Sequence, residues 1–75
     1  MSPRLPRVTA AQIIAVLGQF GFLCVRQSGS HMIYKNIAGR RVTVPYHAGK
    51  ILHPKVLKSI LRDAEITVEK LIELL

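Results

Sequence analysis

The sequence predicts a small α+β domain of order αβββα plus a short C-terminal helix, with a three-stranded antiparallel sheet and helices packed on one of its faces. Three observations carry that expectation. Size comes first: 75 residues that are 49% hydrophobic suit one compact two-layer unit rather than a disordered tail. Next, the apolar period changes from helical spacing before Gly21 to strand-like runs after it, and returns to helical spacing beyond Pro54. Finally, the connections between the central runs are short, which permits hairpins but not the long crossovers of a parallel sheet. Residues 1–75 read as a single domain, with 1–7 as a flexible N-terminal extension.

The first helix is expected over residues 10–20. Thr9 and Gln12 have the spacing of a capping box, and Val8 and Ile13 occupy the staple positions around it. Ala10, Ile13, Leu17 and Phe20 form its apolar stripe, widened by Ile14, and Gly21 is a natural left-handed stop. Phe22 to Arg26 is expected as the first strand, with Ser28-Gly29 as a turn signal. His31 to Lys35 forms the second strand and Asn36 to Gly39 the hairpin connection. Arg40 to Val44 forms the third, with Val42 and Val44 on one face, Arg41 and Thr43 on the other, and Pro45 at its end. Residues 46–53 are a loop. Pro54 suits the first position of a second helix, whose stripe is Val56, Leu57, Ile60, Leu61 and Ala64. Ile66 and Thr67 staple and cap a short last helix with Val68, Leu71, Ile72 and Leu75 on one side.

Charge is segregated along the chain. Residues 1–62 carry ten Lys/Arg and no carboxylate; residues 63–75 carry Lys70 against Asp63, Glu65, Glu69 and Glu73, so +10 and −3 give the net +7. The total is ordinary for a soluble small domain. The segregation is not, and a body without negative side chains projects a field that attracts polyanions such as nucleic acid.

Several function classes fall away. One cysteine, Cys24, allows neither an internal disulfide nor a cysteine-rich zinc site, which fits a reducing cytoplasm; mid-strand, Cys24 is expected to be a packing residue. The uncharged run Val8–Val25 has a membrane span's minimum length, but Thr9, Gln12, Gly18, Gln19 and Gly21 interrupt it, and a capped helix followed by a strand explains it better. Two-metal hydrolysis needs converging carboxylates, and a Ser-His-Asp triad needs one; the body supplies none. No phosphate-binding glycine loop is present. No metal, no cofactor and no membrane role are expected.

The remaining titratable groups are three histidines, Cys24 and two tyrosines. His53, directly before Pro54, reads as flanking a helix start; Tyr34 and Tyr46 read as core or rim packing. His31 follows Gln27-Ser28-Gly29-Ser30, a turn where backbone can approach a ligand, and shares a strand face with Ile33 and Lys35. On these grounds alone it stays either a catalytic group or a tolerated strand-edge histidine.

Val25-Arg26-Gln27-Ser28-Gly29-Ser30-His31, then Gly39-Arg40-Arg41-Val42-Thr43-Val44-Pro45-Tyr46-His47, then Leu57-Lys58-Ser59-Ile60-Leu61-Arg62 resemble the HicA (YcfA-like) family of messenger-RNA interferase toxins. Gly-Ser-His alone is a weak motif; its combination with the second segment is fairly specific. The resemblance implies a fold similar to double-stranded-RNA-binding domains, which agrees with the αβββα order. It also implies that the histidine of Gly-Ser-His, His31, is catalytic. Pro54-Lys55-Val56 departs from the Pro-Gly-Thr that often opens the family's second helix, and the Met1–Arg7 extension is atypical.

The resulting expectation is a metal-independent endoribonuclease, the toxin of a bacterial toxin–antitoxin pair, acting on messenger RNA in the cytoplasm. His31 serves as acid or base on the RNA's own 2′-hydroxyl, and His47 is a second candidate for proton transfer with a structural role equally open. Ser28, Gly29, Ser30, Lys35, Arg40, Arg41, Lys50, Lys55 and Lys58 are the candidate RNA contacts, and the expected protein partner is an acidic HicB-like antitoxin. Two rivals remain: a non-catalytic RNA-binding module on the same basic surface, and a protein-interaction module docking through the acidic terminal helix.

Overall fold

The computed structural model describes residues 4–75. Its elements are α1 (Ala10–Gln19), β1 (Leu23–Ser28), β2 (His31–Lys35), β3 (Arg41–Pro45), α2 (Pro54–Ala64) and α3 (Val68–Leu74). The strands form one antiparallel sheet in the order β1-β2-β3, so the α+β layout is the one the periodicities predict. β2, which begins with His31, is the central strand.

Local chemistry sets the start of α1. The Gln12 amide donates to Thr9 Oγ1 at 3.3 Å and the Thr9 amide donates to Gln12 Oε1 at 2.8 Å, which satisfies two otherwise orphaned donors. Val8 and Ile13 are fully buried beside that cap. The buried stripe is Ala10, Ile13, Val16 and Leu17; Phe20, expected within it, is 36% exposed. The reason lies at the helix end. Phe20 is the C-cap, Gly21 takes φ +81°, and the chain reverses so that Phe22 rather than Phe20 enters the core. β1 therefore begins one residue later than expected and runs on to Ser28.

Every residue of β1 is exposed. Both α1 and α2 pack against β3 at the far edge of the sheet, so β1 extends beyond the helical layer. Cys24 is consequently exposed and not the packing residue expected. Its place in the ladder is opposite buried Tyr34, and a bulge at Val25 follows before Arg26 pairs with Ile33. A bulge of this kind bends the strand and re-aims its side chains.

The β2–β3 ladder alternates cleanly. Tyr34, Val42 and Val44 are buried against the helices, which leaves His31, Ile33 and Lys35 of β2 and Arg41, Thr43 and Pro45 of β3 on the other face. The hairpin closes through the Arg40 amide, which donates to Asn36 Oδ1 at 2.9 Å. β3 begins and ends one residue later than the sequence suggests.

The loop before α2 is tied to the chain's beginning. The Leu52 amide donates to the Val8 carbonyl at 2.8 Å, and Thr9 forms an isolated bridge with Ile51. Of the extension expected to be flexible, residues 1–3 lie outside the described residues, and Leu5 packs half-buried against the core. His53 caps α2 by accepting from the Lys55 amide at its Nδ1, 3.1 Å away, with Pro54 in the first turn. Leu57, Ile60, Leu61 and Ala64 are buried, while Val56 is half-buried. Thr67 caps α3, and Ile66 and Leu71 reach the core. Ile72 and Leu75, expected on the packed side of α3, are exposed, because a helix of only two turns lays one edge against the core and Leu74 shares that edge. Among the described residues no helix is long and apolar enough to cross a membrane.

Candidate active site on the open sheet face

Gly29 and Ser30 form the two-residue link from β1 to β2, with Gly29 at φ +58°, a conformation glycine adopts without a Cβ penalty. The turn is fixed further by Gln27 Nε2, which donates to the Gly29 carbonyl at 3.3 Å, and by the Tyr46 amide, which donates to the Ser30 carbonyl at 2.6 Å. His31 is thus held from both sides, opposite Ser28 in one ladder and Pro45 in the other. Its own side chain stays exposed. Ser28, Gly29 and Ser30 act on its position through the backbone.

His31 lines a cavity of about 370 Å³ that wraps around the β3 edge to α2. Thr43 and Pro45 supply the sheet side; Lys55, Ser59 and Asp63 supply the helix side. The last three follow one another at i, i+4 and i+8, one stripe along α2. A histidine, a lysine and a hydroxyl thus converge from two separate elements. Asp63 is the element the sequence argument lacked: no carboxylate precedes it in the chain, yet it enters the histidine's cavity, with its Oδ1 3.7 Å from Arg62 Nε.

The other expected contacts divide among four places. Lys35 and Arg41 are ladder partners and line a second cavity, of about 250 Å³, with Arg26, Ile33 and Val25. Lys35 lies four residue steps from His31, or about 13 Å along β2, so a polyanion crossing this face reaches both. Lys50 and His47 lie in a third cavity beside His53. Arg40 stands apart from all of these. It pairs with Glu65 on the helix side, and its Nε is buried without a hydrogen-bond partner. Lys58 is exposed on α2.

Arg26, Ser59 and Asp63 were missed by sequence reasoning. Arg26 was hidden by the Val25 bulge, which shifts the alternation of β1. The other two were legible as a stripe with Lys55, once α2 is set against β3. Burial, first, and then the neighbouring Cys24 push the Tyr34 phenol above the ordinary tyrosine value. It lies on the covered face and away from His31. Among the described residues no group of three His, Cys, Asp or Glu side chains is placed to hold a metal ion.

A three-stranded antiparallel sheet with helices on one face, and with a histidine and a row of cations on the other, defines a basic α+β domain of the double-stranded-RNA-binding layout. The chain belongs to the HicA toxin family: the family model described as "HicA toxin of bacterial toxin-antitoxin" matches residues 10–66, from the first residue of α1 to the residue that leads toward α3. Comparison with curated proteins finds no match. Membership makes this chain the toxin type of a bacterial toxin–antitoxin system, whose action implies an antitoxin partner.

Proposed function

We propose that the chain is a metal-independent endoribonuclease acting on messenger RNA in the cytoplasm, with His31 as its acid–base catalyst. The observation that carries this reading is the exposed His31 in a cavity shared with Lys55, on a face that also presents Arg26, Lys35 and Arg41. RNA carries its own nucleophile. Neutral His31 takes the proton of the 2′-hydroxyl as that oxygen attacks the adjacent phosphorus. The P–O5′ bond then breaks, leaving a 2′,3′-cyclic phosphate and a 5′-hydroxyl whose proton comes from an imidazolium or from water. Lys55 is the cation best placed to steady the developing charge on the phosphate oxygens, with Lys35 and Arg41 holding the flanking chain. His47, in the neighbouring cavity, is the candidate for the returning proton.

The partner that fits this surface is an acidic antitoxin of the HicB type, which silences the toxin by covering the His31 face. The deciding experiment compares the parent with His31→Ala on RNA in EDTA. The variant keeps its fold and its RNA affinity, because no formal charge is lost, while cleavage falls by about 10²–10⁴, the usual worth of a positioned acid–base group. Equal cleavage by both proteins removes His31 from catalysis. RNA binding without cleavage by the antitoxin-free parent makes the chain an RNA-binding module instead.

A further inference from the structure

The cavity beside the catalytic one enters the chemistry above only through His47. It has a volume of about 260 Å³, and Pro45, Ile51, Leu52 and Val56 give it apolar walls. Two of those residues, Pro45 and Val56, also line the His31 cavity, so the two spaces are neighbours with shared walls. The walls are rigidly backed: Leu52 is buried and its amide is bonded to Val8, and Ile51 is bridged to Thr9. The polar side chains of the lining are His47, Lys50 and His53. Lys50 supplies a cation, and His53 a donor of fixed identity, because its Nδ1 accepts from the Lys55 amide and the neutral ring then carries its proton on Nε2.

We propose that this cavity is a nucleobase subsite, taking one unpaired base of the RNA next to the phosphate held at His31. The inference rests on the ribonuclease reading and goes further, by requiring a single-stranded nucleotide with its base splayed out. Size supports it: the cavity falls just under the roughly 300–1,000 Å³ of drug-sized ligand sites, which suits one flat ring system and not a whole nucleotide. Chemistry supports it as well, since an apolar lining that also holds hydrogen-bond donors matches a base whose faces are apolar and whose edge carries acceptors. Position supports it again, because Pro45, the ladder partner of His31, stands within about 5 Å of it by backbone spacing. Lys50, an exposed residue of the lining, neutralises the adjoining phosphate.

The test is a titration of the isotope-labelled full chain, followed through its amide signals. The four ribonucleoside 3′-monophosphates are compared with ribose 5-phosphate and inorganic phosphate, which carry no base. At least one nucleotide is expected to shift the signals of Lys50, Ile51 and Leu52 saturably. The base-free phosphates should be at least about fivefold weaker there, the low end of what an enclosed base contributes. Ile51→Asp is expected to abolish that difference and Ile51→Ala to reduce it. The Ile51 side chain is 52% exposed, so neither change should unfold the chain. His31→Ala is expected to retain the difference.

Equal responses to nucleotides and base-free phosphates overturn the proposal, as does silence at residues 47–52 with every probe. So does an Ile51→Asp variant that responds like the parent but no longer co-purifies with an acidic protein partner, which gives the cavity to a protein side chain. A base-selective cavity in a parent that never cuts RNA leaves the subsite standing and removes the nuclease. Cleavage with a base-indifferent cavity does the reverse.

Discussion

His31 and Pro45 are partners across the β2–β3 ladder, and Pro45 is also a wall of the cavity that contains His47 and Lys50. One strand pair therefore fixes the spacing between a candidate catalyst and a neighbouring binding space. His31 cannot drift along the sheet without breaking hydrogen bonds on both sides of β2, nor Pro45 without breaking those between β2 and β3.

The substrate should be chosen by its sugar. If the 2′-oxygen is the nucleophile, one 2′-deoxy substitution at the scissile nucleotide stops cleavage there, while affinity, governed mainly by phosphate contacts, stays within about twofold. Cleavage of the deoxy-substituted strand at the same bond would require an external nucleophile.

Arg40 and Arg41 are neighbours in sequence with opposite roles in space. Arg41→Ala should lower the dependence of log affinity on log salt by about 0.7, one phosphate on a single strand. Arg40→Ala should leave that slope unchanged, since Arg40 is engaged with Glu65. Its effect should appear as a stability loss of up to about 1 kcal/mol, the scale of a partly exposed ion pair. Salt-dependent RNA binding and urea denaturation of the two single variants check both halves.

Asp63 places a negative charge in the His31 cavity. Asp63→Asn should tighten RNA binding roughly two- to fivefold, the scale of one surface charge interaction, and leave kcat within about twofold. A tenfold fall in kcat with improved KM would instead make Asp63 a residue that positions the imidazole.

Tyr34 gives the fold an alkaline limit. Burial raises its pKa in the folded state, so the native chain holds the phenolic proton more tightly than the unfolded one. That contribution is complete below the ordinary tyrosine pKa of about 10 and is lost as pH rises through the folded value. Urea midpoints measured from pH 8 to 11 should fall more steeply for the parent than for Tyr34→Phe. Parallel curves would show that Tyr34 ionises freely without penalty.

Local signals in the sequence were read well where they were sufficient by themselves. The Thr9–Gln12 box, Gly21, Pro54 and Thr67 each mark a helix end through backbone chemistry, and each stands where expected. The alternation of Val42 and Val44 with Arg41 and Thr43 was equally legible. What could not be read depended on how layers are offset. Cys24 and Leu23 look like core residues by type, yet the helices lie over β3, so both are exposed. The same offset brings α2 alongside His31 and delivers Lys55, Ser59 and Asp63 to it. Arg40 and Arg41 look equivalent as a pair of cations; only the strand's pleat and the position of Glu65 separate them.

The uncovered first strand carries a cost of another kind. β1 has no buried side chain, and among the described residues its outer edge has no neighbouring strand, so it is the strand least protected against transient opening. Its last residue, Ser28, is nevertheless a ladder partner of His31. Fluctuations that detach β1 would loosen the histidine's backbone while the core around Leu17, Leu57 and Leu71 stays packed. The heat tolerance of the histidine's alignment is thus set by the weakest strand in the sheet, and a partner that clasped β1 would sharpen that alignment without touching the imidazole.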